Sequence, residues 1–378
     1  MEGFDVRISL QKLLIGLILT IVPLSIIGLY ITGRSDRLLQ LAVGDDLKII
    51  AESKAGQIEQ FVNDLVVVTG ALASSPAVQE ETAASDAAYR VASDPSINSR
   101  IQSIQEHWNA PQSAPLVEKI LSTRASRLLR AYRETDPRFL RITVTDASGV
   151  VVAATHKPAT YFYGNDEQWR AVFADGKGAI HLGDVKYDSA TKTNYISIAV
   201  PVLEEGSSRV LGVAQALVDI WPIAAMLNRG LVEGGTHAAM LKENGTIIFG
   251  PDISLWMNRK APEYPAINEA GGGAGQATGY VVADVGRGVR NVAAFADTEL
   301  KRDYQNLGWV VVVSQNEQAA AAPNRAIGWF ALLMVILGLL MIVLFGVYFH
   351  LHRRQRITDL ATLQKVEEEE EAAAGQYK

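Results

Sequence analysis

The stretch RITVTDASGVVVAAT, residues 141–155, predicts two β-strands joined by a turn at residues 146–149. Runs rich in β-branched residues on both sides of a short Asp-Ala-Ser-Gly segment are typical of a β-hairpin. A second stretch, HAAMLKENGTIIFG at residues 237–250, repeats this plan around Asn244-Gly245, about 95 residues further along the chain. Recurrence of one structural unit at a fixed spacing indicates two tandem modules of the same fold.

The chain that follows each hairpin repeats as well. A helical or loop region comes first, and three strand patterns come after it. These segments are residues 166–174, 179–187, 194–202 and 209–219 in the first unit, and residues 251–270, 278–285, 289–296 and 309–314 in the second. The pattern predicts two five-stranded antiparallel sheets with helices on one face, which is an α+β fold.

Ahead of the hairpins, apolar residues recur every three or four positions, which predicts a long helix. The stripe consists of Leu47, Ile50, Ile58, Phe61, Leu65, Val68 and Leu72, and Lys54 interrupts it. Two compatible interpretations stay open: the stripe packs on its own domain, or it pairs with its copy in a dimer. Residues 74–96 are polar and rich in Ala, Ser and Asp, which favours a loop or helix turn, and further helices are predicted at 97–108 and 116–134.

Two uncharged apolar runs, residues 13–33 and 327–349, are each long enough to cross a membrane as a helix of about 20 residues. No small-residue cleavage site follows the first run, so it favours an uncleaved anchor over a signal peptide. Arg353, Arg354 and Arg356 directly follow the second run, which places that end in the cytoplasm and the long segment between the runs outside.

The predicted organisation therefore has seven parts. They are a cytoplasmic tail (1–12), a transmembrane helix (13–33), an extracytoplasmic helical region (34–138), a membrane-distal module (139–230), a membrane-proximal module (231–325), a second transmembrane helix (326–350) and a short cytoplasmic tail (351–378).

Composition and motifs argue against several classes of function. The chain has 378 residues and a net charge of −6, and no basic patch is interleaved with aromatic residues, so we expect no nucleic-acid binding. It has no cysteine, which excludes disulfides, Cys-zinc sites and thiol catalysis. None of its six histidines has metal-ligand spacing, and the glycine-rich residues 271–279 lack the Gly-Lys-Ser/Thr of a phosphate loop. We expect no enzyme activity, no metal and no cofactor.

A binding pocket is expected between the first sheet and the short helix over it. The candidate ligand-binding residues are Tyr161, Tyr163, Asp166, Trp169 and Arg170, then Tyr187, Asp188 and Tyr195 on the next strands, and Asp219 at the end of the unit. Aromatic rings with a carboxylate suit an ammonium group, and an arginine suits a carboxylate. The competing interpretation is structural: Trp169 is core, Asp188 shapes a turn and Asp219 caps the next helix. The distal module is preferred because the proximal loop is rich in glycine and poor in converging polar groups.

With its long N-terminal helix, two tandem PAS-like sheets and flanking membrane helices, the sequence resembles the double Cache domain of bacterial sensors. Residues 178–202, GAIHLGDVKYDSATKTNYISIAVPV, resemble the distal module, which ends in a GVxxxxVDI pattern at residues 212–220. LGWVVVVSQNEQAAAAP, residues 307–323, resembles the last proximal strand. The resemblance covers residues 36–323 and both anchors. It implies a protein of the bacterial inner membrane with a periplasmic or extracellular ectodomain.

Amino-acid-binding members of this family carry an Arg-x-Trp-Tyr run above the pocket and a later aspartate. Trp169 and Asp219 match, whereas Glu167 stands at the arginine position and Arg170 follows the tryptophan. The carboxylate clamp is therefore missing where the motif places it. The resemblance implies an amine, an amino-acid-like compound or a small carboxylate held by Arg170 as ligand, or else an empty structural module.

No output domain is visible after the second anchor. The apolar residues Ile357, Leu360, Leu363 and Val366 form an edge too short for a stable coiled coil, and residues 367–371 are all glutamate. The first hypothesis is a homodimeric sensor that signals through a separate transmitter protein. The alternative is a structural or scaffolding membrane subunit whose ectodomain mediates assembly without a small ligand. A third hypothesis is a receptor whose transmitter lies on a neighbouring reading frame.

Overall fold

The structure is a computed structural model. It describes residues 10–91, 96–188, 192–231, 235–251, 253–254, 258–271, 277–286, 288–304, 307–319, 332–333 and 335–348, with side chains from Leu41 onward except at residues 88–91, 96 and 253–254. The chain divides into two units, residues 43–317 on the one hand and residues 1–42 with 318–378 on the other. Both predicted sheets lie in the first of these units.

The N-terminal part of the chain is helical. The helices are α1 (Leu10–Ala73), α2 (Pro76–Val91), α3 (Ser96–Glu106), α4 (Ala114–Ser122) and α5 (Arg124–Thr135). On α1, Leu47, Ile58 and Leu65 are at most 3% exposed, so the apolar stripe packs within its own chain. The expected loop at 74–96 is wrong, because α2 occupies most of it. Pro76 suits a first helical position, and buried Val78 anchors the helix to the rest of the core.

The distal sheet is antiparallel and has six strands. They are β1 (Phe139–Asp146), β2 (Val151–Ala154), β3 (His181–Leu182), β4 (Lys186–Asp188), β5 (Thr193–Leu203) and β6 (Val210–Asp219). Their order is β2-β1-β6-β5-β3, with β4 also paired to β5. The single strand predicted at 179–187 is divided by Gly183, where a Cβ would lie 2.2 Å from Oγ of Ser197. Helix α6 (Glu167–Phe173) lies over this sheet, and α7 (Trp221–Asn228) follows β6.

The proximal sheet repeats the plan, again with six strands rather than five. Its elements are β7 (Thr236–Lys242), β8 (Ile247–Gly250), β9 (Ile253–Ser254), α8 (Tyr264–Glu269), β10 (Thr278–Asp284), β11 (Arg290–Asp297), α9 (Leu300–Asp303) and β12 (Trp309–Asn316). The order is β10-β11-β12-β7-β8-β9. The predicted turn at Asn244-Gly245 is present, and Gly245 has the positive φ of 82° that such a turn requires.

One face of each sheet belongs to a connected core that includes α1, with Ile58, Ile142 and Met240 as members. The opposite faces pack against α6 in the distal module and α8 in the proximal module, through Val172 and Ile267 respectively. Each sheet therefore lies between the core that includes α1 on one face and a short helix on the other.

The predicted membrane spans are covered only in part. Residues 13–33 lie within α1 without described side chains, and residues 335–348 form an apolar helix. Apart from residues 332–333, the remainder of 326–350 lies outside the described residues, as does the tail at 351–378. Where side chains are described, no helix taken singly combines the length and the apolar character needed to cross a membrane. The bent pair Leu41–Ala73 and Pro76–Ala87 does so only when the two helices are counted together.

Candidate ligand-binding site

Helix α6 is the element that forms the distal site. Asp166 precedes it and caps it, with Oδ1 accepting a hydrogen bond from the backbone N–H of Trp169 at 3.0 Å. The helix ends where Ala174 and Asp175 adopt left-handed φ values of 45° and 54°. Its seven residues thus form a short lid with defined ends over β1, β5 and β6.

Trp169 fastens this lid to the sheet. Its indole Nε1 donates to Oγ1 of Thr145 on β1 at 2.8 Å. Its ring stacks on Phe173 with centroids 4.8 Å apart and packs against a small cluster that includes Ala199 and Val213. The tryptophan therefore combines apolar packing with one specific hydrogen bond.

Gln168 provides a second attachment, which the sequence analysis missed. Its Oε1 accepts from Nε2 of Gln215 on β6 at 2.7 Å and from Oγ of Ser197 on β5 at 2.9 Å. The side chains of two neighbouring strands therefore converge on one amide. The only signal in the sequence was the alternation along β5 and β6. It places Ser197 and Gln215 on one face of the sheet, with Ile198 and Ala216 on the opposite face.

The space under α6 is almost filled. It measures about 10 Å³, which is room for one water at most, and is lined by Thr143, Thr145, Tyr163, Trp169, Ala199, Val213 and Gln215. In this structure the lid is closed on the sheet, so a ligand directly beneath it requires α6 to move.

Beyond the lid, the same face of the sheet stays partly open. Along β6, Gln215, Leu217 and Asp219 are half-exposed, whereas the alternating residues Ala216 and Val218 are fully buried. Asp219 lies opposite Tyr195 of β5 in the register. It is six residues from Val213, or about 20 Å along an extended strand. The open surface therefore extends from the edge of α6 to the start of α7.

The structure brings only some of the predicted site residues together. Tyr163 and Trp169 line the closed space under α6. Tyr195 and Asp219 form the second, more open group, and Asp188 on the adjacent strand β4 shares their face because it pairs with Thr193. Tyr187 pairs with Asn194 and therefore lies on the opposite face of the sheet.

Other predicted residues have structural partners. Tyr161 is buried and its ring lies 5.2 Å from that of Trp108, in a separate cluster. Arg170 donates to the carbonyl of Gly164 at 3.0 Å and to Oδ1 of Asn165 at 2.9 Å. Asp219 Oδ1 accepts from the N–H of Trp221 at 2.7 Å, at the first turn of α7.

Burial shifts the ionisation of groups on this face. It raises the pKa of the Asp219 carboxyl, against the opposing effect of the Trp221 N–H. It also raises the pKa of Tyr163, with Arg141 opposing, and lowers the pKa of His181, with Glu167 and Asp166 opposing. The face thus holds one carboxylate whose charge is incompletely solvated, and a cationic ligand would stabilise that charge.

Within the described part of the chain, no group of three or more His, Asp or Glu side chains is placed to hold a metal ion. The side chains gathered here offer hydrogen bonds, aromatic surface and the Asp219 carboxylate. These are the means by which proteins bind small polar molecules without a metal.

Most of the chain matches the model of a known protein family. The family model described as Cache domain matches residues 35–323, which include both sheets and the helices before them. No protein of curated function matches the sequence significantly.

Several solved structures are similar at low sequence identity. The ligand-binding domain of the amino-acid chemoreceptor PctB of Pseudomonas aeruginosa, in complex with L-Arg, is 17% identical, with coverage of 74% of this chain and 97% of that chain and a TM-score of 0.44. The corresponding domain of the Campylobacter jejuni chemoreceptor Tlp3, in complex with 4-methylisoleucine, is 12% identical, with coverage of 75% and 94% and a TM-score of 0.48. That of the Pseudomonas fluorescens chemoreceptor CtaA, in complex with L-leucine, is 14% identical, with coverage of 77% and 98% and a TM-score of 0.43.

Proposed function

The chain belongs to the Cache domain family, and from this premise we propose that it is a membrane-anchored sensor whose double Cache region binds a small molecule and signals through a partner chain. The proposed setting is the bacterial inner membrane, with the double Cache region in the periplasm or outside the cell and residues 13–33 and 326–350 as the two membrane helices.

One observation carries this proposal: the distal sheet has one fully buried face and one face that is half-open beside α6. Ala216 and Val218 are completely buried, while Leu217 and Asp219 between and after them are half-exposed. A sheet that served packing alone would gain stability by covering this second face with apolar groups. The half-open face instead carries polar and aromatic groups, as expected of a surface that a ligand covers.

The groups on the open face favour an ammonium-bearing ligand, either an amine or an amino-acid-like compound. Asp219 supplies a carboxylate, and Tyr195 supplies an aromatic ring directly opposite it in the register. Arg170, the candidate partner for a ligand carboxylate, already donates to Gly164 and Asn165. A small carboxylate is therefore the less favoured ligand.

A route for the signal follows the chain from the open face. Asp219 accepts a hydrogen bond from the N–H of Trp221, the first residue of α7. At the other end of α7, the carbonyls of Met226 and Arg229 accept from Lys54 of α1. A ligand that draws the Asp219 carboxylate away from Trp221 would change the position of α7, and with it the contact on α1. A transmitter protein would then read a change in the membrane helices.

The homodimer is also part of the proposal. The α1 stripe that includes Ile58 and Phe61 packs inside the chain, so a dimer contact on α1 has to use the opposite side of the helix. Ile49 and Val67 are 63% and 70% exposed there. They are 18 residues apart, or about five helical turns, and so point in the same direction.

The test is thermal unfolding of the full chain against a panel of amines, amino acids, small carboxylates and purines. A compound present at about 100 times its dissociation constant adds about 2.7 kcal/mol of stability. Asp219→Asn keeps the oxygen that accepts from the Trp221 N–H but removes the charge, and we expect it to abolish the shift. Asp46→Asn, at an exposed position of α1, is the matched control and should respond like the parent. A panel without a single stabilising compound would favour the scaffold alternative.

A further inference from the structure

The proximal module contains a much larger cavity than the distal one. It measures about 290 Å³ and lies between the sheet and the segment that leads into α8. Its wall is mostly apolar, with Ala239, Ile247, Ala261 and Val312 among the lining residues. The described residues therefore enclose, in this structure, a space that a small organic molecule could occupy without rearrangement.

Strand register explains why polar groups converge on this cavity. His237 of β7 lies opposite Ser314 of β12, and Ala293, two residues after Asn291 on β11, also lies opposite Ser314. His237, Ser314 and Asn291 therefore share the sheet face that carries α8. All three line the cavity, and Ser314 and Asn291 are only 4% and 7% exposed.

Glu263 contributes a buried carboxylate to the cavity wall. It directly precedes α8 and is 7% exposed, and its Oε1 accepts a hydrogen bond from Nδ2 of Asn291 at 3.0 Å. Among the described residues, no lysine, arginine or histidine forms an ion pair with it. A buried carboxylate with one neutral partner is costly, and a cation in the adjoining space would offset that cost.

We propose that this proximal cavity is a second binding site, for a small organic cation with a primary ammonium group and a short apolar body. The ammonium pairs with the Glu263 carboxylate, Ser314 and Asn291 offer oxygen acceptors to its remaining N–H groups, and the apolar wall covers the carbon chain. A bare metal ion suits the site poorly, because one carboxylate on an apolar wall supplies too few oxygen ligands. The inference does not depend on the distal site.

Sequence reasoning passed over this site because its groups are scattered along the chain. Glu263, Asn291, Ser314 and His237 come from a loop and three different strands. The nearby glycine-rich residues 271–279 were instead the feature that stood out. The register of the folded sheet brings His237, Asn291 and Ser314 to one face, and the loop before α8 adds Glu263.

The test measures binding of straight-chain primary ammonium chlorides with three to six carbons to the full chain by calorimetry. The corresponding alcohols and carboxylates are the neutral and anionic probes. We expect at least one ammonium compound to bind, and its alcohol and carboxylate analogues to bind at least tenfold more weakly. Equal binding of the three classes, or no binding of any ammonium compound, would overturn the proposal.

Variants locate the site and separate it from the distal one. Glu263→Gln keeps the shape of the side chain and should weaken ammonium binding at least tenfold, whereas Glu269→Gln, at the exposed end of α8, should leave it unchanged. Ala239→Leu should block binding by filling the cavity while Glu263 itself is kept. This variant therefore tests the proposal if Glu263→Gln does not fold. Asp219→Asn should have no effect. Loss of binding in Asp219→Asn with retention in Glu263→Gln would assign the ligand to the distal site and contradict this inference.

Discussion

The Nζ atom of Lys54, in the middle of α1, lies 2.8 Å from the carbonyl oxygen of Arg229, which ends α7. The same nitrogen also donates to the carbonyl of Met226 at 2.9 Å. Lys54 is only 4% exposed, and burial lowers its pKa. This contact explains why a lysine interrupts an otherwise apolar stripe: it satisfies carbonyls at the C-terminal end of a helix, where a positive charge is favourable.

Lys54→Met is expected to destabilise the chain by about 2 kcal/mol, because methionine keeps the apolar stem but leaves two carbonyl groups without their donor. Urea denaturation of the variant and the parent measures this difference. Lys48→Met is the control on the same helix. Lys48 is half-exposed and its contact with Glu52 is 3.8 Å, so its loss should cost less than about 0.5 kcal/mol. Equal effects of the two substitutions would show that the α7 contact adds no stability.

Asp146 gives a prediction for pH. It is fully buried, accepts hydrogen bonds from Ser85, Ser148 and Val150, and burial raises its pKa to about 6. The folded state therefore holds a proton that the unfolded state has released between about pH 4 and pH 6. The stability that this group contributes is complete below its unfolded pKa of 3.8 and is lost as the pH rises through about 6.

This loss amounts to about 3 kcal/mol at neutral pH, from a shift of roughly two pKa units. Asp146→Asn cannot ionise, so the stability of the parent relative to the variant should fall by that amount between pH 4 and pH 7. Denaturation series at several pH values give the difference directly. An identical pH dependence in parent and variant would contradict the raised pKa.

The hydrogen bond from Trp169 to Thr145 predicts how firmly the lid is held. Thr145→Val keeps the volume of the side chain and removes the acceptor of the indole N–H, so the closed state should lose about 1 kcal/mol. Because Thr145 also donates to the carbonyl of Val213, part of the lost stability comes from the bond between β1 and β6. Amide hydrogen exchange separates the two effects. Exchange in α6 should accelerate by about fivefold, whereas loss of the bond to Val213 would accelerate exchange in β6.

Trp169→Phe is the companion variant, since it removes the donor and leaves Thr145 intact. The same acceleration of exchange in α6 is expected, together with tighter apparent binding of any distal ligand that needs the lid open. Unchanged exchange in both variants would mean that packing against Phe173 and Val213, and not the hydrogen bond, keeps α6 closed.

The sequence predicted local features well. The turn at Asn244-Gly245, the two tandem hairpins and the buried α1 stripe depend on patterns within a few residues, and the structure contains all three. The helix at Pro76–Val91 was missed, because its polar composition concealed the few residues that pack inward.

The sites depend on distant residues and could not be predicted in the same way. Trp169 was selected from its neighbours along the chain, but its partner Thr145 is 24 residues away. Glu263 and Asn291 are 28 residues apart, and nothing in either segment indicates their hydrogen bond. Sequence patterns report which face a residue occupies, whereas the register between strands decides which side chains share a cavity.

The exposed side of α1 gives the prediction for assembly. Ile49 and Val67 would each bury an apolar side chain in a dimer, and replacing both by aspartate removes that contribution and sets like charges against each other. A loss of about 1.4 kcal/mol is tenfold in the dissociation constant, so the double variant should self-associate at least tenfold more weakly in sedimentation. Ile58→Asp is the contrasting variant: Ile58 is fully buried in the chain's own core, so its replacement should unfold the domain and not merely separate protomers. A folded Ile49→Asp/Val67→Asp variant with unchanged sedimentation would rule out a dimer contact through this side of α1.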